Sequence, residues 1–343
     1  MISSDDFIPF AWTLVLGALG AIVAGTLGLP APFLIGPALF VTIGSLSGRR
    51  LLVPLALRNA CFVVVGMSMG AGVTPEVVTA AAAWPASFAM VIVISIVLLL
   101  SAQALLRRVF HYDRMTALLA ACPGHLSYVL SLAADTRGDL ASIGIIQSVR
   151  VLALTLLVPL IVELSGASGA GAVVLPQAMG LAPLVVLGVL AGVCGLIFLR
   201  LKVPAALLVG GMAVSILAHL SGLVTGTIPQ WLQIPVYVLL GSMIGTRFSG
   251  VRLAELKTAF VAGLSVTVVV GLISAVTAAG IAHLLDVPLG AALIAFAPGG
   301  LETMAAMAVI MHADPAYVGT HHILRLLFLS VLMPFMLSRF RSL

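Results

Sequence analysis

Charge is what this chain has least of. Only 8% of its residues are Asp, Glu, Lys or Arg, and 62% are apolar, whereas an ordinary soluble domain carries about 25% charged residues. That balance excludes a soluble globule. Cysteine is scarce too. Cys61, Cys122 and Cys194 stand apart among apolar residues with no CxxC pair, so neither a disulfide framework nor a zinc site is indicated. The alternating pattern of a barrel strand is missing, as is any HExxH-type metal spacing. The start, Met1-Ile-Ser-Ser-Asp-Asp6, has no basic n-region, and the first hydrophobic segment reads as a retained helix rather than a signal peptide. The net charge of +5 does not point to nucleic acid, because the basic residues sit as small clusters between hydrophobic segments, as in cytoplasmic loops.

What is present is a succession of apolar segments of the length that crosses a lipid bilayer as helix, and the succession occurs twice. At an offset of 175 residues Ala117, Ala120, Pro123, Gly124, Leu126, Asp139, Arg150 and Pro159 meet Ala292, Ala295, Pro298, Gly299, Leu301, Asp314, Arg325 and Pro334. Earlier, at an offset of 174, Pro30, Ala31, Leu34 and Gly36 meet Pro204, Ala205, Leu208 and Gly210. The chain therefore reads as repeat 1 (1–163), a small, uncharged flexible joint (164–180) and repeat 2 (181–343), together one integral membrane domain. The hydrophobic segments fall at about 10–28, 32–47, 53–72, 84–106, 115–134 and 140–162, then at 181–199, 203–220, 231–246, 259–284, 289–311 and 316–338. Thr74-Pro75-Glu76 has the cap and N1-proline of a short helix before the fourth segment.

Each fifth segment is interrupted at mid-length, by Pro123-Gly124 and by Pro298-Gly299. If all six segments of each repeat crossed, basic residues would fall on both sides. If the fifth enters and returns on the same side, the loop Lys and Arg residues all lie inside, with both termini cytoplasmic. The expected fold is thus an all-α polytopic membrane protein of two inverted-topology repeats, each with about five transmembrane helices plus a re-entrant or broken helix. A broken helix that crosses is the alternative that sequence leaves open. Paired breaks at membrane depth are the best sequence pointer to a transporter's binding site.

Chemistry concentrates around those breaks. Arg150 and Arg325 lie near the middle of their helices, with Gln147 and His322 one turn earlier on the same face. Two readings stand: a polar stripe meeting a substrate, or arginines locked to backbone carbonyls freed by the breaks. After the breaks come His125 and Ser127 in one repeat, Gly300 and Glu302 in the other. The half-helices that start there favour an anion. Glu302 is the candidate proton carrier, since burial favours a protonated carboxyl, or else a structural ion-pair partner. The candidate substrate site is therefore Arg150, Arg325, Gln147, His322, Pro123, Gly124, His125, Ser127, Pro298, Gly299 and Gly300. Asp135, Asp139 and Asp314 read as loop caps. His321, His322, His312, His125 and Glu302 match no metal motif, and no metal or cofactor is expected. The run Gly66-Met-Ser-Met-Gly-Ala-Gly72 is best explained by close helix packing.

At these residues the chain resembles the AbrB family of bacterial inner-membrane proteins. It shares the Leu29-Pro-Ala-Pro-Phe-Leu-Ile-Gly36 opening, the Pro-Gly element of each half, and an Arg followed nine residues on by Pro. The resemblance covers essentially the whole chain and implies a duplicated membrane module in the inner membrane. Members are catalogued under regulator and ammonia monooxygenase labels. The family's name is shared with an unrelated soluble DNA-binding protein, which nothing here resembles. His125 and Ser127 depart from the pattern that Gly300 and Glu302 follow.

The leading expectation is a secondary transporter or permease for a small anionic solute, working by alternating access with proton coupling in view, and not an enzyme. The alternatives are a membrane protein that regulates gene expression indirectly and a membrane monooxygenase. Expected partners are the lipid bilayer and a small-molecule or ion substrate, not nucleic acid. A homodimer is compatible with the sequence, although no motif calls for one.

Overall fold

The computed structural model describes residues 4–123, 126–134, 136, 138–166, 177–251 and 253–341. Among them run fifteen α-helices: α1 (Ser4–Thr26), α2 (Pro32–Leu46), α3 (Leu55–Ala71), α4 (Pro75–Ala80), α5 (Pro85–Arg108), α6 (Arg114–Ala121), α7 (Leu126–Ala134), α8 (Leu140–Leu164), α9 (Leu181–Arg200), α10 (Ala206–Leu220), α11 (Gln230–Thr246), α12 (Leu253–Leu285), α13 (Leu289–Phe296), α14 (Leu301–Ile310) and α15 (Pro315–Arg341). Six of these, α1, α5, α8, α9, α12 and α15, are long and apolar enough to cross a membrane. Their outer faces remain apolar: on α9, Val185, Val186, Val189, Leu190, Val193 and Leu196 are all exposed. Water would not tolerate so continuous an apolar surface, and lipid does. The short helix expected before the fourth segment is α4, capped by Thr74, whose Oγ1 accepts from the Val77 N–H at 3.4 Å. Most of the expected joint, residues 167–176, lies outside the described residues.

Small residues decide which helices meet. Gly36 on α2 lies against the Gly20 backbone on α1, and the matching Gly210 on α10 lies against Gly195 on α9. A Cβ at either place would strike backbone, so only glycine permits the approach. The third helices then change partners. Gly66 of α3 packs on the Leu208 carbonyl of α10, while Gly241 of α11 packs on the Leu34 carbonyl of α2. Leu34 and Leu208 are matched positions, as are Gly66 and Gly241, so each repeat clasps the other. The backbone repeats as well: Ala31 and Ala205, entering α2 and α10, both sit in the left-handed region at φ 48° and 52°. Gly66-Met-Ser-Met-Gly70 has the spacing of a nucleophile elbow, but it lies inside α3 with Ser68 Oγ donating to the Val64 carbonyl at 3.0 Å. It is helix packing, not a strand-to-helix turn.

Side-chain ties mark two ends of the molecule. At one end Arg50 reaches Asp6 at 3.2 Å and the Leu51 N–H donates to Ser249 Oγ at 3.0 Å, joining the start of α1, the α2–α3 connection and the α11–α12 connection. At the other end Ser87, at the start of α5, bonds Tyr317 and His321 near the start of α15. The Asp139 N–H donates to Thr116 Oγ1 at 2.9 Å, bringing the entrance of α8 back beside the entrance of α6.

Candidate functional site

The first turn of the site is written by proline. Pro123 and Pro298 have no N–H, and the residue before a proline avoids the helical region. Cys122 (ψ 117°) and Ala297 (ψ 132°) are accordingly extended, ending α6 and α13. A helix end leaves carbonyls without partners, and both ends are buried in the core. Arg150 supplies those partners at the first break: Nη1 donates to the Ala120 and Ala121 carbonyls at 3.5 and 3.3 Å, Nη2 to the Cys122 carbonyl at 2.9 Å. Arg325 does the same at the second, with Nη2 on the Ala295 and Phe296 carbonyls at 3.0 and 3.2 Å and Nη1 on the Ala297 carbonyl at 2.7 Å. The acceptors correspond residue for residue at the repeat offset. A cation at a helix C-terminus also opposes the dipole's negative end. The carbonyl-locking reading of the two arginines describes this geometry.

One turn earlier the repeats diverge. Gln147 Nε2 donates to the Leu119 carbonyl at 2.9 Å. His322 places Nδ1 at 3.0 Å from the Val318 carbonyl, while its Nε2 is buried with no partner of good hydrogen-bond geometry among the described residues, and the Ala297 carbonyl also lies near the ring. On the far side of the second break α14 opens with Gly300 at its cap, Thr303 Oγ1 donating to the Gly300 carbonyl at 2.9 Å and Glu302 in the first turn.

Both breaks reach one cavity of about 320 Å³. Pro123 and Leu126 border it from the first; Gly299, Gly300, Leu301, Glu302 and Thr303 from the second; His322 and Arg325 from α15. Two residues not singled out in the sequence complete its charged wall: Arg58 from the first turn of α3 and Arg247 just past α11. Arg58 and Glu302 both lie within electrostatic reach of Arg247, whose Nη1 is buried without a hydrogen-bond partner among the described residues. Both sit near the edges of apolar segments, where an arginine reads as a loop charge, so no sequence signal singles them out.

The remaining sequence candidates are distributed as follows. Arg150 and Gln147 stand behind the cavity wall rather than on it, and Pro298 faces a separate apolar groove of about 200 Å³ between α8, α12 and α13. Gly124, His125 and Asp135 lie outside the described residues, as does the side chain of Ser127. His321 turns away from His322: its Nδ1 bonds the Tyr317 carbonyl at 2.6 Å and its Nε2 bonds Ser87 Oγ at 2.7 Å. Among the described residues no three His, Cys, Asp or Glu side chains converge as a metal site would require. Asp139 and Asp314 cap α8 and α15 through paired N–H bonds of 2.9–3.2 Å.

A family model described as "Transition state regulatory protein AbrB" matches residues 33–341. The chain belongs to the AbrB family. Among its relatives is an uncharacterized protein, YhjN, of Bacillus subtilis (strain 168), 27% identical over 97% of this chain and 94% of that protein. Another, of Escherichia coli (strain K12), provisionally named regulator AbrB, is 26% identical over 87% of this chain and 86% of its own length. Neither name is that of an enzyme. No solved structure matches the chain.

Proposed function

We propose that this AbrB-family chain is a secondary permease of the bacterial inner membrane for a small anionic solute, working by alternating access. The cavity carries the reading. Its charged lining is the exposed Arg58, the half-buried Arg247 and the buried Arg325 against Glu302, an excess of positive charge around the cavity. Buried charge without compensation is costly, and an anion removes that cost.

The architecture suits such work. The Thr116–Asp139 bond supports a hairpin of α6 and α7 that returns to its own side. On this reading α13 and α14 form the matching hairpin from the other side, and the two repeats have opposite orientation with five crossings each. An inverted repeat can rock about its own pseudo-symmetry axis, exposing a central site to each side in turn. The cavity is bordered by Arg58 and Arg247, from the end where Arg50 and Asp6 meet, which is the cytoplasmic end by the positive-inside rule. Both termini are then cytoplasmic. On this reading Glu302, in the cavity lining, carries the coupling proton.

The test is counterflow in proteoliposomes with a panel of small carboxylates. Labelled solute should accumulate in loaded vesicles holding the unmodified chain and not in vesicles holding the Arg325→Gln variant. Glu302→Gln should keep counterflow while losing acceleration by a pH gradient. Orientation is checked independently: Ala170→Cys in a background free of native cysteines should react with an impermeant maleimide from outside the cell. Reaction from the cytoplasmic side alone would remove the inverted arrangement. If no carboxylate is moved by any preparation, the regulator reading suggested by the E. coli relative's name becomes the better one.

A further inference from the structure

Three residues that border the cavity each carry a buried polar atom without a hydrogen-bond partner among the described residues, two donors, Arg247 Nη1 and Arg325 Nε, and one ring nitrogen, His322 Nε2. Arg247 Nη1 is a charged donor. His322 Nε2 is an acceptor in the tautomer whose Nδ1–H donates to the Val318 carbonyl at 3.0 Å, the ring contact with good hydrogen-bond geometry. Unpartnered buried groups of this sort are rare and call for an explanation. Arg325 differs from Arg247 in that both its Nη atoms are occupied by backbone carbonyls, which leaves only Nε without a partner. Thr303 Oγ1 is occupied as well.

A solute that completes Arg247 Nη1 and His322 Nε2 must bring an anionic acceptor for the first and a hydrogen-bond donor for the second. An ammonium donor is disfavoured by the surrounding charge, since Arg58, Arg247 and Arg325 face a single carboxylate, Glu302, in the lining. A neutral hydroxyl meets the requirement. The rest of the wall, Phe62, Leu240, Met243 and Leu326, suits a short hydrocarbon frame. We propose that the solute is a small hydroxycarboxylate, its carboxylate on Arg247 and its hydroxyl donating to His322 Nε2. This rests on the anion-permease reading and narrows it to a substrate class.

The experiment is calorimetric titration of the full chain in detergent with matched pairs: glycolate and acetate, lactate and propionate, malate and succinate, with lactamide and alanine as controls. At least one hydroxy acid should bind about tenfold or more tightly than its deoxy partner, as expected for a site polar group left unpaired. Lactamide and alanine should not bind. Arg247→Gln should weaken both members of the pair by tenfold or more, with partial recovery in Arg247→Lys. His322→Leu should bring the hydroxy acid down to its deoxy partner and leave the latter unchanged. Equal binding within every pair by the unmodified chain would overturn the proposal without recourse to any variant, as would binding of none of the hydroxy acids or retained discrimination in folded His322→Leu. Hydroxyl-selective binding without counterflow would keep this site and remove the permease. Counterflow of acids with no preference for the hydroxyl would keep the permease and remove this site.

Discussion

The two Pro-Gly breaks are built alike and finished differently. In each, an arginine from the following long helix holds three carbonyls at the end of the broken one, on matched residues. The difference lies one turn away. Gln147 closes the first break by bonding the Leu119 carbonyl, whereas His322 has a buried ring nitrogen without a hydrogen-bond partner among the described residues, on a residue that borders the cavity. The arginine-held break is thus the part common to both halves, and on the proposed reading the recognition chemistry is concentrated on the second. Arg150 is scaffold; Arg325 is scaffold that also borders the cavity.

The largest effect should come from removing that common framework. Arg150→Met and Arg325→Met each leave three carbonyls buried without donors, where a hydrogen bond from a charged group contributes about 1.5–3 kcal/mol. Each should lower stability by about 3 kcal/mol or more, read as thermal unfolding in detergent, and by similar amounts. A well-tolerated Arg150→Met beside an unfolded Arg325→Met would break the equivalence of the two breaks.

The clasp between repeats offers a second comparison. Gly66→Ala places a methyl group on the Leu208 carbonyl and Gly241→Ala one on the Leu34 carbonyl. Overpacking of this kind costs about 1–3 kcal/mol, and the two losses should match because the contacts do. If only one variant suffers, the interlocking is not symmetric in energy, whatever its geometry.

Much of this was legible from the residues. The apolar segments, both breaks, the matched arginines, the caps at Thr74, Asp139 and Asp314, and the helix before α5 all follow from local rules: apolar runs, proline chemistry and capping residues. Three things were not. The choice between substrate and carbonyls for Arg150 depends on where α6 ends in space relative to α8, a tertiary fact. Arg58 and Arg247 have no arginine at the matched positions, Gln233 and Gly72, so the repeat did not flag them, and at segment edges they looked like loop charges. His321 and His322 were inseparable for a simpler reason. Successive residues point about 100° apart on a helix of 3.6 residues per turn, and only the packing reveals which one meets Ser87 and which the cavity.

A smaller effect separates the two residues that distinguish the breaks. Gln147→Leu removes a donor from the Leu119 carbonyl and should cost about 1 kcal/mol, the usual net value of a neutral hydrogen bond. His322→Leu removes an Nε2 that has no partner and one Nδ1 bond to a carbonyl of its own helix, and should cost less stability than Gln147→Leu while altering solute binding. Comparable destabilisation by both would mean that His322 is as structural as Gln147, and the contrast drawn between the breaks would fail.

The smallest effect concerns the caps that open α8 and α15. Asp139 is exposed, and its carboxylate lies at a helix N-terminus, where negative charge contributes about 0.3–1 kcal/mol. Asp314 makes the same pair of bonds from a half-buried loop, and burial pushes its carboxyl above the usual value of 3.8 despite the opposing Tyr317 and Ala316 N–H groups. The folded state therefore holds the Asp314 proton more readily than the unfolded chain does. That contribution is fully present below the unfolded value and is lost as pH rises through the elevated folded one. Asn keeps the accepting oxygen without the charge. Asp139→Asn should thus lower the unfolding temperature slightly at neutral pH, while Asp314→Asn should hold or raise it, by a margin that grows from about pH 4 upward and then levels off. Unfolding temperatures measured between about pH 4 and pH 8 decide the matter: equal losses for both variants across that range would show that burial does not distinguish the second cap from the first.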